Sequence, residues 1–189
     1  MKVDGNTLRV GNIIDHNGSL WRVMKTQHVK PGKGGAFLQV ELRDIRSGTK
    51  ANERFRSSET VEKVRLSQKS CQFLYSDGDS FAFMDTNDYE QFSIDIGLIG
   101  ADHARFLADG MQVEVEFHEE TPLNVTLPET IAMTVVEADA VVKGQTASSS
   151  YKPAVLENGV RVSVPPYIEV GTVIVINTTD CSFVSRAKT

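Results

Sequence analysis

The chain has 189 residues, 40% apolar and 24% charged, the balance of a folded protein with room for two to three small domains rather than that of a disordered tail. No apolar run approaches the roughly 18 residues of a membrane span, Met1-Lys2-Val3-Asp4-Gly5-Asn6 lacks the apolar core of a secretory leader, and Cys71 and Cys181 form no Cys-x-x-Cys pair. A reducing cytoplasm is expected, without membrane association, structural zinc, disulfide scaffold or cofactor. The net charge of -5 hides an asymmetry: residues 1–64 carry 12 Lys+Arg against 7 Asp+Glu, residues 65–128 carry 3 against 12, and residues 129–189 carry 5 against 6.

Period-2 or β-branched runs predict strands over Ser19–Lys25, Ala36–Arg43 and Thr60–Leu66 in the first block. In the second block they fall over Gln72–Leu74, Ser80–Met84, Gln112–Phe117 and Asn124–Leu127. Ile131–Val136, Gly159–Val164 and Thr172–Asn177 follow in the third. Asn17-Gly18, Ser47-Gly48, Asp77-Gly78 and Asn158-Gly159 read as turns between them. Helical periodicity is weak, with a candidate over Ile99–Ala108 and a turn near Ser57–Val61. So many short strands predict an all-β chain of three small barrels in tandem, over residues 1–64, 65–128 and 129–189.

Between Asp15 and Glu41 there is no acid, yet Arg22, Lys25, Lys30 and Lys33 all fall there. Two alternating strands flank Lys30-Pro31-Gly32-Lys33-Gly34-Gly35, so this is a hairpin with a thin tip. Gly32 and Gly34 are expected to supply backbone angles closed to other residues, and Pro31 to stiffen the approach. Lys33 then projects as a single amine at the end of a finger, although the same loop also reads as a plain solvated hairpin turn. A phosphate-cradling P-loop is rejected, because Gln27 stands where its first glycine belongs and Gly34 where its Ser or Thr belongs.

Lys30 to Phe37 resembles the hallmark Lys-Pro-Gly-Lys-Gly-x-Ala-Phe loop of bacterial elongation factor P. Thr49–Phe55, Tyr75-x-Asp77-Gly78, Phe83-Met84-Asp85, Lys143-Gly144-x-Thr146, Lys152-Pro153-Ala154, Val164-Pro165 and Val184-Ser185-Arg186 extend the resemblance nearly end to end. It implies an SH3-like (KOW-type) domain followed by two OB-fold domains in an L-shaped outline. It also implies a monomeric, non-enzymatic translation factor that binds the ribosome between the peptidyl and exit tRNA sites and promotes peptide-bond formation at consecutive prolines. Lys33 takes the position that meets the acceptor end of the peptidyl-tRNA and that a lysine-modifying enzyme can alter. Around it Lys30, Pro31, Gly32, Gly34 and Gly35 form the supporting loop.

Arg22, Lys25 and Lys30 are expected to add contacts to the phosphates of tRNA and ribosomal RNA. In the third domain Gly144-Gln145-Thr146 replaces the family's Gly-Asp-Thr, an amide for an acid, and Phe183 replaces a tyrosine; Arg186 remains a phosphate contact. Ser148-Ser149-Ser150-Tyr151 reads equally as an RNA-facing loop and as a connection. An elongation-factor-P-like paralogue and a generic KOW/OB RNA-binding module are the alternative readings. His16, His28, His103 and His118 have no metal-ligand spacing and read as surface residues, while Trp21, Phe83 and Met84 read as core.

Overall fold

The computed structural model describes residues 1–140 and 150–188. Strands β1 (Lys2–Asp4), β2 (Ile13–His16), β3 (Ser19–Val29), β4 (Phe37–Asp44), β5 (Lys50–Arg56) and β6 (Thr60–Val64) form one sheet in the order β1-β6-β2-β3-β4-β5. A second sheet takes β7 (Ser67–Asp77), β8 (Ser80–Asp85), β9 (Gln91–Asp95), β10 (Gln112–His118) and β11 (Thr121–Thr126) in the order β11-β10-β7-β8-β9. The third contains β12 (Thr130–Ala138), β13 (Lys152–Leu156), β14 (Arg161–Val164), β15 (Val173–Asn177) and β16 (Phe183–Arg186), ordered β14-β13-β12-β15-β16. The fold is all-β, as the alternation predicts. By compactness the chain divides into two units, residues 1–69 with 115–124, and residues 70–114 with 125–189.

Each sheet buries one face. In the first, Ile14, Val23, Leu38, Val40 and Leu42 are fully buried and pack with Leu8, Phe55 and Val61, while Trp21 is half-buried at the margin and donates Nε1–H to the His16 carbonyl at 3.1 Å. The second buries an aromatic group in which Phe73 and Phe83 lie 5.5 Å apart and Phe83 and Phe92 lie 6.0 Å apart. In the third, Val135, Leu156, Val164, Ile174 and Ile176 are buried with Phe106. Phe83 is interior as expected; Met84, its neighbour, is only half-buried because successive side chains point to opposite faces.

All four turn signals fall between strands. Asn17 and Gly18, with φ of 53° and 78°, make the two-residue connection from β2 to β3. The helix expected over Ile99–Ala108 is instead two single turns, α1 (Ile96–Ile99) and α2 (Ala101–Ala104). They are separated at Gly100, whose φ of 90° breaks the right-handed path. Asp95 opens α1 by accepting the Gly97 amide at 2.7 Å. The turn expected near Ser57–Val61 covers only residues 57 and 58, and β6 begins at Thr60.

Several strands carry no sequence signal. β5 reads Lys-Ala-Asn-Glu-Arg-Phe-Arg, with Phe55 its only large apolar residue, and it is held by antiparallel pairing to β4 from Phe37↔Arg56 to Arg43↔Lys50. β3 runs four residues past its expected end at Lys25 to Val29, through Gln27 and His28, because β4 supplies partners along its whole length.

Candidate functional site

The hairpin β3–β4 is paired from Trp21↔Asp44 to Val29↔Phe37, with one bulge between Val23 and Lys25. Val23, Leu38, Val40 and Leu42, all without solvent exposure, root it in the first core. Past the last pair, residues 30–36 form the connection, and residues 30–35 are exposed. Lys33 stands at its middle, four residues beyond Val29. A connection of that length carries it at most about 14 Å past the paired strands. Among the described residues its ammonium has no hydrogen-bond or ion-pair partner.

Gly34 has a φ of 121°, in the region closed to most side chains, and a Cβ there would meet only Pro31 Cγ, at 3.8 Å. The requirement for glycine is therefore conformational and not steric. Gly32 lies outside that region, and neither it nor Gly35 has any atom within 4 Å of where a Cβ would stand. Of the two glycines expected to need special backbone angles, only Gly34 does. Pro31 packs beside it across the tip, so the stiff residue and the permissive one face each other.

Alternation places one outward row of side chains on each of the three strands. Val29–Phe37–Arg56, Gln27–Gln39–Arg54 and Lys25–Glu41–Asn52 lie across the sheet from the tip downward, and Arg22–Arg43–Lys50 lies at the far end. Down the face most of the charges are compensated, the exception being Arg43, exposed and without a carboxylate partner among the described residues. The Glu41 carboxylate lies 3.8 Å from Lys25 Nζ and 3.7 Å from Lys50 Nζ. Arg22 donates from Nη2 to Glu116 Oε2 at 2.9 Å, and Asn124 Nδ2 donates to the same oxygen at 3.3 Å. At the finger end they are not. Arg54 stands over the Phe37 ring, 5.2 Å from its centroid, and neither Arg54 nor Arg56 has a carboxylate partner among the described residues.

Where β4 turns into β5, Asp44 Oδ1 accepts the Arg46 and Ser47 amides at 2.8 and 2.7 Å. The bond from the Ser47 amide, more than any other contact, holds the Asp44 carboxyl below the ordinary carboxylate range.

The structure thus gathers Lys25, Lys30 and Lys33 with Pro31, Gly32, Gly34 and Gly35 on one hairpin. It places Arg22 at that hairpin's root, engaged with Glu116. Arg186 is exposed on β16, opposite Ile174. Gly144, Gln145 and Thr146 lie outside the described residues, as do Ser148 and Ser149. Sequence reasoning missed Arg54 and Arg56. The signal was the alternation Asn52, Arg54, Arg56 against Phe55, too short and too polar to be read as a strand before its partner is known.

The three sheets match three family models in chain order: the elongation factor P KOW-like domain over residues 4–61, its OB domain over 66–125, and its C-terminal domain over 131–186. The elongation factor P of Paramagnetospirillum magneticum is 56% identical over 188 residues, covering 100% of each chain. The chain belongs to the elongation factor P family. That of Bartonella bacilliformis is 54% identical over 188 residues, 100% of this chain and 98% of its own. Membership makes this chain a translation elongation factor. Among solved structures, eukaryotic translation initiation factor 5A from Methanococcus jannaschii superposes with a TM-score of 0.58 over 67% of this chain and 92% of that one. At 24% identity it shows a shared fold. Among the described residues no helix is long and apolar enough to cross a membrane.

Proposed function

We propose that this elongation factor P binds the ribosome between the peptidyl and exit tRNA sites and promotes peptide-bond formation when consecutive prolines stall it. The observation that carries this reading is the finger: an exposed Lys33, without a partner among the described residues, on a loop held by Pro31 and Gly34 and rooted by the fully buried side chains of Val23, Leu38, Val40 and Leu42. A hindered secondary amine and a proline-ending nascent chain make a poor attack geometry. Orienting two reactants well is worth on the order of 7–11 kcal/mol. A cationic tip that steadies the acceptor end of the peptidyl-tRNA restores part of that. Lys33 does this with three N–H donors aimed at phosphate and 2′-hydroxyl oxygens, taking no proton and forming no covalent intermediate.

The exposure that lets Lys33 reach RNA also makes it the accessible substrate of a lysine-modifying enzyme. Lys25 and Lys30 contribute phosphate contacts along the same hairpin. Arg22 reaches RNA only by exchanging the Glu116 carboxylate for a phosphate. In the third domain Gly144, Gln145, Thr146 and Arg186 make the contacts distant in sequence from the finger. Domains at 1–64, 65–128 and 129–189, a monomeric state and a cytoplasmic location complete the proposal.

The test is translation of a reporter containing three successive prolines, with and without the protein. Full-length product should rise with the wild-type chain and not with Lys33→Ala, while thermal unfolding of the variant stays unchanged. Equal synthesis with and without the wild-type protein would leave it an RNA-binding module with no part in proline-stalled elongation.

A further inference from the structure

Phe106 lies between β9 and β10 of the second sheet, yet its fully buried ring belongs to one cluster with Met133, Val135, Leu156, Ile174 and Ile176 of the third. We infer that Phe106 is a positioning residue, a peg that fixes the third sheet to the second so that RNA contacts made by the third also hold the second in place. The inference rests on the proposed ribosomal function and goes beyond it.

The segment that carries the peg is hydrogen-bonded along its length. The Gly100 amide donates to the Ile96 carbonyl at 2.8 Å, the Ala104 amide to the Gly100 carbonyl at 2.9 Å, and the Phe106 amide to the His103 carbonyl at 3.0 Å. Ile99 is buried, and the φ of 90° at Gly100 redirects the chain between α1 and α2. From the third sheet, Asn158 Nδ2 donates to the Arg105 carbonyl at 3.0 Å, while Asn158 Oδ1 accepts the Val160 amide at 3.2 Å. The turn between β13 and β14 thereby clasps the backbone beside the peg.

A buried phenylalanine removes about 150–250 Å² from water. Joins between domains of one chain stay mobile unless they are large and apolar. A ring supplied by one sheet to the core of the next makes an apolar join, and residues 70–114 and 125–189 form one compact unit. The third sheet bears the exposed Arg186, a phosphate contact in the proposed function. Two contact regions on one chain reinforce each other through an effective concentration that depends on how stiff their connection is. The peg supplies stiffness at this joint.

The test uses the full chain in two measurements. In backbone ¹⁵N relaxation the second and third sheets of the wild type should tumble with one correlation time, and those of Phe106→Ala with two. In the proline reporter, titrated with factor, Phe106→Ala should raise the half-maximal concentration about tenfold, a small part of the roughly 10²- to 10⁴-fold that linking two contact regions contributes. Maximal synthesis should stay at the wild-type level, because Lys33 is untouched. Phe106→Leu retains an apolar plug and should behave as the wild type. Asn158→Asp keeps the acceptor for Val160 and loses the donor to Arg105; it should raise the half-maximal concentration about threefold, and it decides the matter should Phe106→Ala not fold. A single correlation time in a folded Phe106→Ala variant, or two in the wild type, would overturn the peg. Separate tumbling with an unshifted half-maximal concentration would overturn its positioning role, as would a fall in maximal synthesis alone, the mark of lost folded protein. Failure of the wild type to rescue the reporter would remove the ribosomal reading and with it the positioning role, while the relaxation result would still report on the join.

Discussion

Gly34 offers the sharpest test of whether finger shape, and not just finger charge, matters. A substitution to Ala meets no obstruction, since the only atom near the added Cβ is Pro31 Cγ at 3.8 Å, an ordinary contact. Its whole cost is the backbone conformation at φ 121°, about 1–3 kcal/mol for a residue forced into a sparsely populated region. The loop is exposed, so it escapes by adopting another conformation and the sheet does not unfold. The native tip becomes a minor state, reduced about 5- to 150-fold for that cost. Gly34→Ala should therefore lower rescue of the proline reporter by a factor in that range, with no change in thermal midpoint and Lys33 still present. Gly32→Ala and Gly35→Ala, at positions outside that backbone region, should rescue like the wild type. D-alanine at position 34, introduced by semisynthesis, favours positive φ and should restore activity. Full rescue by L-Ala at position 34 would refute the claim that a fixed tip is required.

Three other outcomes follow from the first sheet. Leu42→Ala empties a fully buried site and should cost about 2–5 kcal/mol, read from urea unfolding followed by the fluorescence of Trp21, the chain's one tryptophan, which packs at the same core. A double-mutant cycle with Arg22→Ala and Glu116→Ala should give a coupling of about 1 kcal/mol, the range for a half-buried charged hydrogen bond; a coupling near zero would return Arg22 to the pool of free cations available to phosphate. Asp44 has its carboxyl held below the ordinary value, so the bonds it accepts contribute stability above about pH 3.9 that is lost as pH falls through the lower folded-state value. Carboxyl NMR should show Asp44 titrating below the ordinary aspartate value, and Asp44→Asn should remove its share of the acid limb.

What the sequence made legible was what repeats locally. Strict alternation over Leu38, Val40 and Leu42, and the Asn-Gly and Asp-Gly turns, announce strands and hairpins from within a few residues. β5 and the outer part of β3 are different. Lys50–Arg56 has one buried anchor in Phe55, and residues Gln27 and His28 have none of the apolar signal of Val23. Their strand character comes from β4, a partner whose register is a long-range fact. The broken helix at Gly100 shows the opposite failure, in which four apolar or semi-apolar positions imitate a period that one positive φ interrupts. For the site, the Pro-Gly-Lys-Gly tip was legible because its residue types are rare together. Arg54 and Arg56 were not, because two arginines in a polar heptapeptide acquire meaning only once pairing puts them beside Phe37.

Pairing also resolves the contradiction between an acidic chain and a polyanionic partner. Interactions between exposed charges fade over about 8 Å at physiological ionic strength, so a phosphate near the tip responds to its immediate neighbours and hardly at all to a whole-chain pI of 5.4. Which cations are free locally then decides the outcome. Glu41 and Glu116 pair Lys25, Lys50 and Arg22, while Lys33, Arg54 and Arg56 toward the tip, and Arg43 toward the root, have no acid partner among the described residues. Removing Glu41's charge should on this reasoning extend the basic face toward the root and strengthen RNA binding without sharpening its position, because two freed lysines add attraction but no fixed geometry. Position comes from the stiff elements alone: the buried anchors of β4, the ring under Arg54, and the single left-handed glycine beside Lys33.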